Sequence, residues 1–204
     1  MLARSLTLIL LVPALLAASG SADEHLLQGA RAFRAGRYAE ALVEFKVAEK
    51  LGAGQDARAY AGAALVKLDR PEEAVELFGA RPGNDPVLEF YRALACYQAR
   101  LFTCADRALE AATGRFGPRV AEEARALRAQ IQKTLSGEIQ PQVVDWYLRR
   151  GEDALKARQL VLGLLYAEEA RALGGRREGC HRCADTEALQ ARVKAAAAAA
   201  EASR

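Results

Sequence analysis

The sequence predicts an all-α fold: an array of helical hairpins, followed by a spacer helix, a further hairpin and a C-terminal capping helix. Three observations carry this. From Asp23 onward apolar residues recur at intervals of three and four, and Gly or Pro interrupts the pattern at short intervals. The chain is 51% hydrophobic but only 6% aromatic, and its apolar content is mainly Ala and Leu. Those residues favour helices, and β-branched strand formers are few. Small residues also recur at fixed spacings. Gly29 is followed twelve residues later by Ala41 and seven later by Ala48; the same spacings relate Ala93, Ala105 and Ala112, and again Gly151, Gly163 and Ala170. Gly62 is followed by Ala74, but Arg81 then breaks the pattern.

Residues 1–22 read as a secretory signal peptide and not as part of the fold. Arg4 supplies a positive start, Leu6 to Ala18 form an apolar run of thirteen residues, and Ser19-Gly20-Ser21-Ala22 suits a cut after Ala22. The run is shorter than the roughly 20 residues of a membrane span. No other stretch is long and apolar enough to cross, and no Cys follows the run to carry a lipid anchor. A periplasmic or secreted location in a bacterial envelope is the expectation.

Residues 23–113 hold three hairpins. Two antiparallel helices approach closely only where neither presents a bulky side chain, so each small residue on a first helix is expected to face one on the second. A lone hairpin cannot bury its apolar face, so stacking completes the core. Leu26 to Leu51, which reads LLQGARAFRAGRYAEALVEFKVAEKL, resembles a tetratricopeptide repeat (TPR) through Gly29, Gly36, Tyr38, Ala41, Phe45 and Ala48. The second unit is similar through Gly62, Pro71, Ala74, Phe78 and Pro86. The third is similar through Ala93, Phe102, Ala105 and Ala112, with Leu109 in the place of Phe45 and Phe78. The bulky Trp that usually opens the first helix is replaced by His25, Arg58 and Glu89.

The resemblance implies a right-handed solenoid whose first helices line a concave groove. The groove positions it implies are Leu26, Ala30, Phe33 and Arg34; then Ala59, Ala63, Val66 and Lys67; then Phe90, Leu94, Tyr97 and Gln98. Leu26 and Ala30 stand where some family members place a Lys and Asn clamp for a terminal carboxylate, so that mode is not implied here.

Residues 114–140 form the spacer. Gly117-Pro118 starts a helix over about 118–135 with one narrow stripe, Val120, Ala124, Leu127, Ile131 and Leu135. Residues 141–175 are a divergent TPR-like hairpin marked by Tyr147, Gly151, Gly163 and Ala170. A domain boundary near residue 137 is allowed, but a continuous solenoid is expected. Residues 176–204 hold a Cys-containing loop and a terminal helix, with Asp185 as its expected N-cap and Leu189 and Val193 as its few large apolar residues. Ala195 to Ala200 give it little to anchor with.

Four Cys in an exported chain are expected to be oxidised, in one of three pairings. Cys96 and Cys104 fall on opposite sides of the third hairpin turn by the repeat alignment, and local pairing, 96 with 104 and 180 with 183, is preferred. Cys180-His181-Arg182-Cys183 has dithiol spacing ahead of a helix, where a thiol pKa is lowered. A structural clip, a redox pair and a metal site are all open readings. A thioredoxin-like domain would need flanking strands, Ala184 stands where covalent haem attachment needs His, and three adjacent ligands are poor for zinc.

Other chemistry is sparse. The two His residues, His25 and His181, read as a helix-start and a loop residue. There is no Gly-rich phosphate loop, and no motif points to a cofactor or metal. The paired acids Glu72-Glu73, Glu122-Glu123 and Glu168-Glu169 read as solvated faces. A net charge of +3, spread evenly, argues against nucleic acid, which calls for a concentrated basic face. The expected function is therefore that of an exported scaffold, not an enzyme, holding a protein or peptide through an apolar groove. The alternatives are a thiol-redox or metal-handling helical protein using Cys180 and Cys183, and an envelope component that self-assembles through its Ala-rich end.

Overall fold

The computed structural model describes residues 21–80, 83–175 and 180–203. Among these the chain is all helical, without strands. The expected signal peptide lies outside the described residues, apart from Ser21 and Ala22. The first three hairpins are α1 (Ala22–Arg34) with α2 (Tyr38–Ala48), α3 (Gly54–Lys67) with α4 (Pro71–Phe78), and α5 (Pro86–Gln98) with α6 (Phe102–Ala111). A connection over Glu49–Ala53, kinked at Gly52 where φ is 101°, joins the first to the second. The long α7 (Pro118–Ser136) follows, then the hairpin α8 (Pro141–Lys156) with α9 (Leu160–Gly174), and finally α10 (Cys183–Ala202).

Helix starts follow from local chemistry. Pro71, Pro86, Pro118 and Pro141 each occupy the first turn of a helix, where the missing N–H is not needed. Asp85 caps α5 by accepting from the amides of Val87 and Leu88. Ser21 and Glu24 form a capping box at α1, so the first helix uses a residue that the expected cut after Ala22 would remove. At the last helix the expectation shifts. Arg182, in a left-handed conformation, precedes α10, and Asp185 sits in the first turn, paired with Arg182 at 2.6 Å.

The four hairpin turns share one geometry. Gly36, Asp69, Arg100 and Arg158 all have φ between 56° and 75°. In each, the next residue donates five back: Arg37 to Ala32, Arg70 to Leu65, Leu101 to Cys96, Gln159 to Ala154. This is the Schellman arrangement, repeated with Gly at the left-handed position in only the first unit.

Close packing of small residues takes two forms. In the first two hairpins the partner of the glycine is an aromatic ring. A Cβ on Gly29 would lie 2.6 Å from Phe45, and one on Gly62 would lie 2.9 Å from Phe78. The expected small-on-small contact is seen in the last hairpin, where a Cβ on Gly151 would lie 3.5 Å from the carbonyl of Gly163 and 2.7 Å from Leu189 of α10. Leu189 and Val193 are buried over this pair, so α10 caps α8 and α9. The α7 stripe is placed as its spacing predicts: Ala124, Ile131 and Leu135 are buried, against α5 and α6.

The packing departs from a continuous solenoid after α7. In a linear stack each hairpin meets only its neighbours. Here α9 packs against α4 and α6, so the last hairpin folds back onto the second helices of units two and three. The seam is polar. Glu169 accepts from the amide of Thr103 at 2.9 Å, and Glu76 accepts from the amide of Leu162 at 2.8 Å. Glu72 receives Arg150 and, at 2.9 Å, the Tyr166 hydroxyl. Glu168 pairs with Arg107 at 3.2 Å. Three of the acids read as solvated are thus not so: Glu169 is buried where it caps α6, which begins without a side-chain cap of its own, and Glu72 and Glu168 are half-buried in the ion pairs of the seam. No helix among the described residues is long and apolar enough to cross a membrane.

Candidate functional site

A hollow of about 230 Å³ opens between α1, α3 and α5. Helix α1 contributes Ala30, Phe33 and Arg34, α3 contributes Tyr60 and Ala63, and α5 contributes Val87, Leu88 and Tyr91. Its aromatic walls hold one another. Phe33 meets Tyr91 edge-on at 5.7 Å and Tyr38 at 5.2 Å, while Tyr60 stacks on buried Phe45 at 5.5 Å. Such ring pairs favour offset or edge-on geometry. Lys67 stands 5.6 Å above the Tyr91 ring, and Asp85 is among the residues that line the hollow. Burial raises the hydroxyl pKa of Tyr91, and burial with the nearby carboxylates of Asp85 and Asp56 raises that of Tyr60. Both stay neutral, so the hollow presents uncharged rings with charge confined to its edge.

The implied groove residues are brought together only in part. Phe33 and Arg34 line the hollow, and Lys67 reaches its rim through Tyr91. Leu26 and Leu94 are half-buried against the core. Val66 and Phe90 are buried within it, at 5% and 8% exposure, and Phe90 packs on Phe116. They lie beneath the surface and do not line it. Tyr97 leans on Phe102 at 5.9 Å, and Gln98 points to a different cleft beside α8.

Tyr60 and Tyr91 were not among the positions the resemblance implied. Each lies nine residues before its left-handed turn residue, as Leu27 does. The implied column, Leu26, Ala59 and Phe90, lies one residue earlier. One residue turns a helix by roughly 100°, enough to exchange a surface ring for a core one. Leu27, at 49% exposed, is the signal that the outward column runs through 27, 60 and 91.

The four Cys stand in two local pairs at disulfide distance. Cys96 and Cys104 have Cα atoms 5.9 Å apart across the third hairpin, and Cys180 and Cys183 are 5.8 Å apart at the start of α10. The second pair sits in a docked turn: Arg182 reaches Asp145 of α8 at 2.8 Å, and the His181 carbonyl lies against Gly174, where a Cβ would stand 2.6 Å away. His25 pairs with Glu44 across the first hairpin at 2.7 Å. No group of three or more His, Cys, Asp or Glu suited to a metal ion forms among the described residues.

No protein-family model, curated protein or solved structure matches the chain.

Proposed function

We propose that the chain is an exported helical-hairpin scaffold of the tetratricopeptide type, which holds a protein or peptide partner at the hollow between α1, α3 and α5. The observation that supports this reading is a set of large apolar side chains kept at the surface around a cavity. Tyr60 is 38% exposed and Val87 46% exposed, beside rings whose mutual packing fixes them in advance. Rigid aromatics around a concavity anchor a partner at low entropic cost. The cavity has the size of one apolar side chain, and Arg34, Lys67 and Asp85 offer polar contacts around it, the usual layout of an anchor pocket with a polar rim.

The test is crosslinking capture from envelope extract with the intact chain, a Val87→Glu variant and a Val43→Glu control. Val43 is 59% exposed on α2, away from the hollow. A partner captured by the intact chain and the control but not by Val87→Glu is the expected result. Capture that is the same for all three removes the hollow from consideration.

A second reading, thiol-redox activity, rests on Cys183 opening the twenty-residue α10, whose positive end favours a thiolate. Insulin-reduction turbidity reads this directly, and an inactive reduced protein rules it out.

A further inference from the structure

The fold-back of the last hairpin creates a second concavity that shares no lining residue with the hollow. A cleft of about 630 Å³ runs between the start of α4, the α5–α6 turn, and helices α8 and α9. Its charged residues are Arg70, Arg100, Arg150, Glu72 and Glu73. Two of the three cations are already engaged. Arg70 makes a two-pronged contact with Glu73 at 2.6 Å, and Arg150 is bound to Glu72. Among the described residues no carboxylate pairs with Arg100; its guanidinium lies 6.0 Å from the Trp146 ring. The backbone that carries Arg100 is fixed, because the Schellman turn holds it left-handed and the Tyr147 hydroxyl donates to its carbonyl at 2.5 Å.

Arg100 and Trp146 also line a second cavity, of about 460 Å³. Beyond them its apolar walls are Phe102, Leu135, Ile139, Val143 and Leu173, with Tyr147 beside them, and Thr134, Glu138 and Gln142 make up its polar part. A cationic mouth and an apolar slot therefore meet along one indole. Each cavity falls in the size range of small-molecule sites, and their position at the junction of two structural units is typical of such sites.

We propose that the joined cavities bind a small amphiphilic monocarboxylate, with its head on Arg100 and its tail between Phe102, Val143 and Leu173. One uncompensated guanidinium matches one carboxylate, with which it forms paired hydrogen bonds. Glu72 and Glu73 beside it oppose a dianion such as phosphate. The apolar slot gives the tail a reason to enter that a purely ionic ligand lacks.

Trp146 is the single Trp of the chain, so its fluorescence reports occupancy without a label. The intact protein is titrated with decanoate below its micellar concentration, with 1-decanol as the neutral analogue. Arg100→Gln and Val143→Glu are titrated in parallel. Arg100 is exposed and Val143 is 37% exposed, so both substitutions spare the core, and far-UV circular dichroism checks this. The expected result is a saturable change with decanoate. Decanol and Arg100→Gln should each bind about tenfold more weakly, and Val143→Glu should not saturate. Equal binding of decanol and decanoate, an unchanged titration in Arg100→Gln, or no saturable change overturns the proposal. So does a response confined to a short apolar peptide acid such as acetyl-Leu-Phe, which would assign the cleft to a protein C-terminus.

Discussion

The carboxylate of Glu169, in α9, accepts the backbone amide of Thr103 in the first turn of α6 through both oxygens, at 2.9 and 3.1 Å. Leu101, the residue before α6, offers no side-chain acceptor, so a helix 66 residues away in sequence supplies the missing cap. The pair lies in the seam and Glu169 is only 1% exposed, which strengthens a charge-assisted bond. Glu169→Ala is expected to lower unfolding stability by about 2 kcal/mol, measured by urea denaturation. Glu169→Gln keeps an acceptor and should recover part of the loss. Equal losses in the two variants would mean that packing and not capping is at stake.

Glu76 makes the reciprocal contact, accepting from Leu162 at the start of α9. Burial raises its carboxyl pKa above the ordinary 4.5, more than the amide contacts lower it. The folded state then holds the proton more tightly than the unfolded one. This contribution to stability is full below the ordinary value and is lost as pH rises through the raised folded value. The stability of the parent chain relative to Glu76→Gln should therefore fall as pH rises from about 4 toward 7. Urea midpoints for both proteins across that range check this. A difference that grows with pH would show that the Leu162 amide outweighs burial.

The left-handed turn at Arg158 (φ 58°) is occupied by glycine in the first hairpin. A side chain in that region costs on the order of 1 kcal/mol, and Arg158 is exposed. Arg158→Gly is expected to raise the melting temperature by about 2–4 °C, and Arg158→Val to lower it. No gain with glycine would mean that the Arg158 side chain makes contacts worth the strain.

Cys96 and Cys104 enclose a short loop and are buried, at 0% and 2% exposure. A bond across that separation of 8 residues stabilises by about 2.5 kcal/mol in the loop-entropy model. The double substitution to Ala should lose about that much, and a non-reducing digest should yield one linked peptide pair. Four titratable thiols in denaturant without reductant would reject both pairings.

Much of the architecture was legible because its markers are local. Pro71, Pro86, Pro118 and Pro141 set helix starts, the α7 stripe predicted its buried face, and the hairpin spacing placed Cys96 opposite Cys104. The seam was not legible. Glu168-Glu169 reads as a solvated pair unless one knows which uncapped helix will arrive beside it, and that depends on a fold-back no local signal encodes. The hollow was half legible. Periodicity selects the surface of α3 and α5 but not the single-residue register that puts Tyr60 and Tyr91 outward and Phe90 inward. Asp185 was a reasonable cap by type, but the turn holding Cys180 and Cys183 lets the helix begin three residues earlier, with Arg182 in the cap position.

The seam also bears on how the chain comes apart. Its bonds join residues 66, 86 and 94 positions apart, whereas stacked hairpins ordinarily melt one by one from their ends. Peeling away α8 and α9 would uncap α6 and leave Glu72 and Glu76 facing nothing they now bind. The third hairpin cannot persist unchanged once the fourth has left. The second, third and fourth hairpins are therefore latched together and are not a ladder with removable rungs, and they should unfold in a single cooperative event, while the first hairpin lies outside the latch.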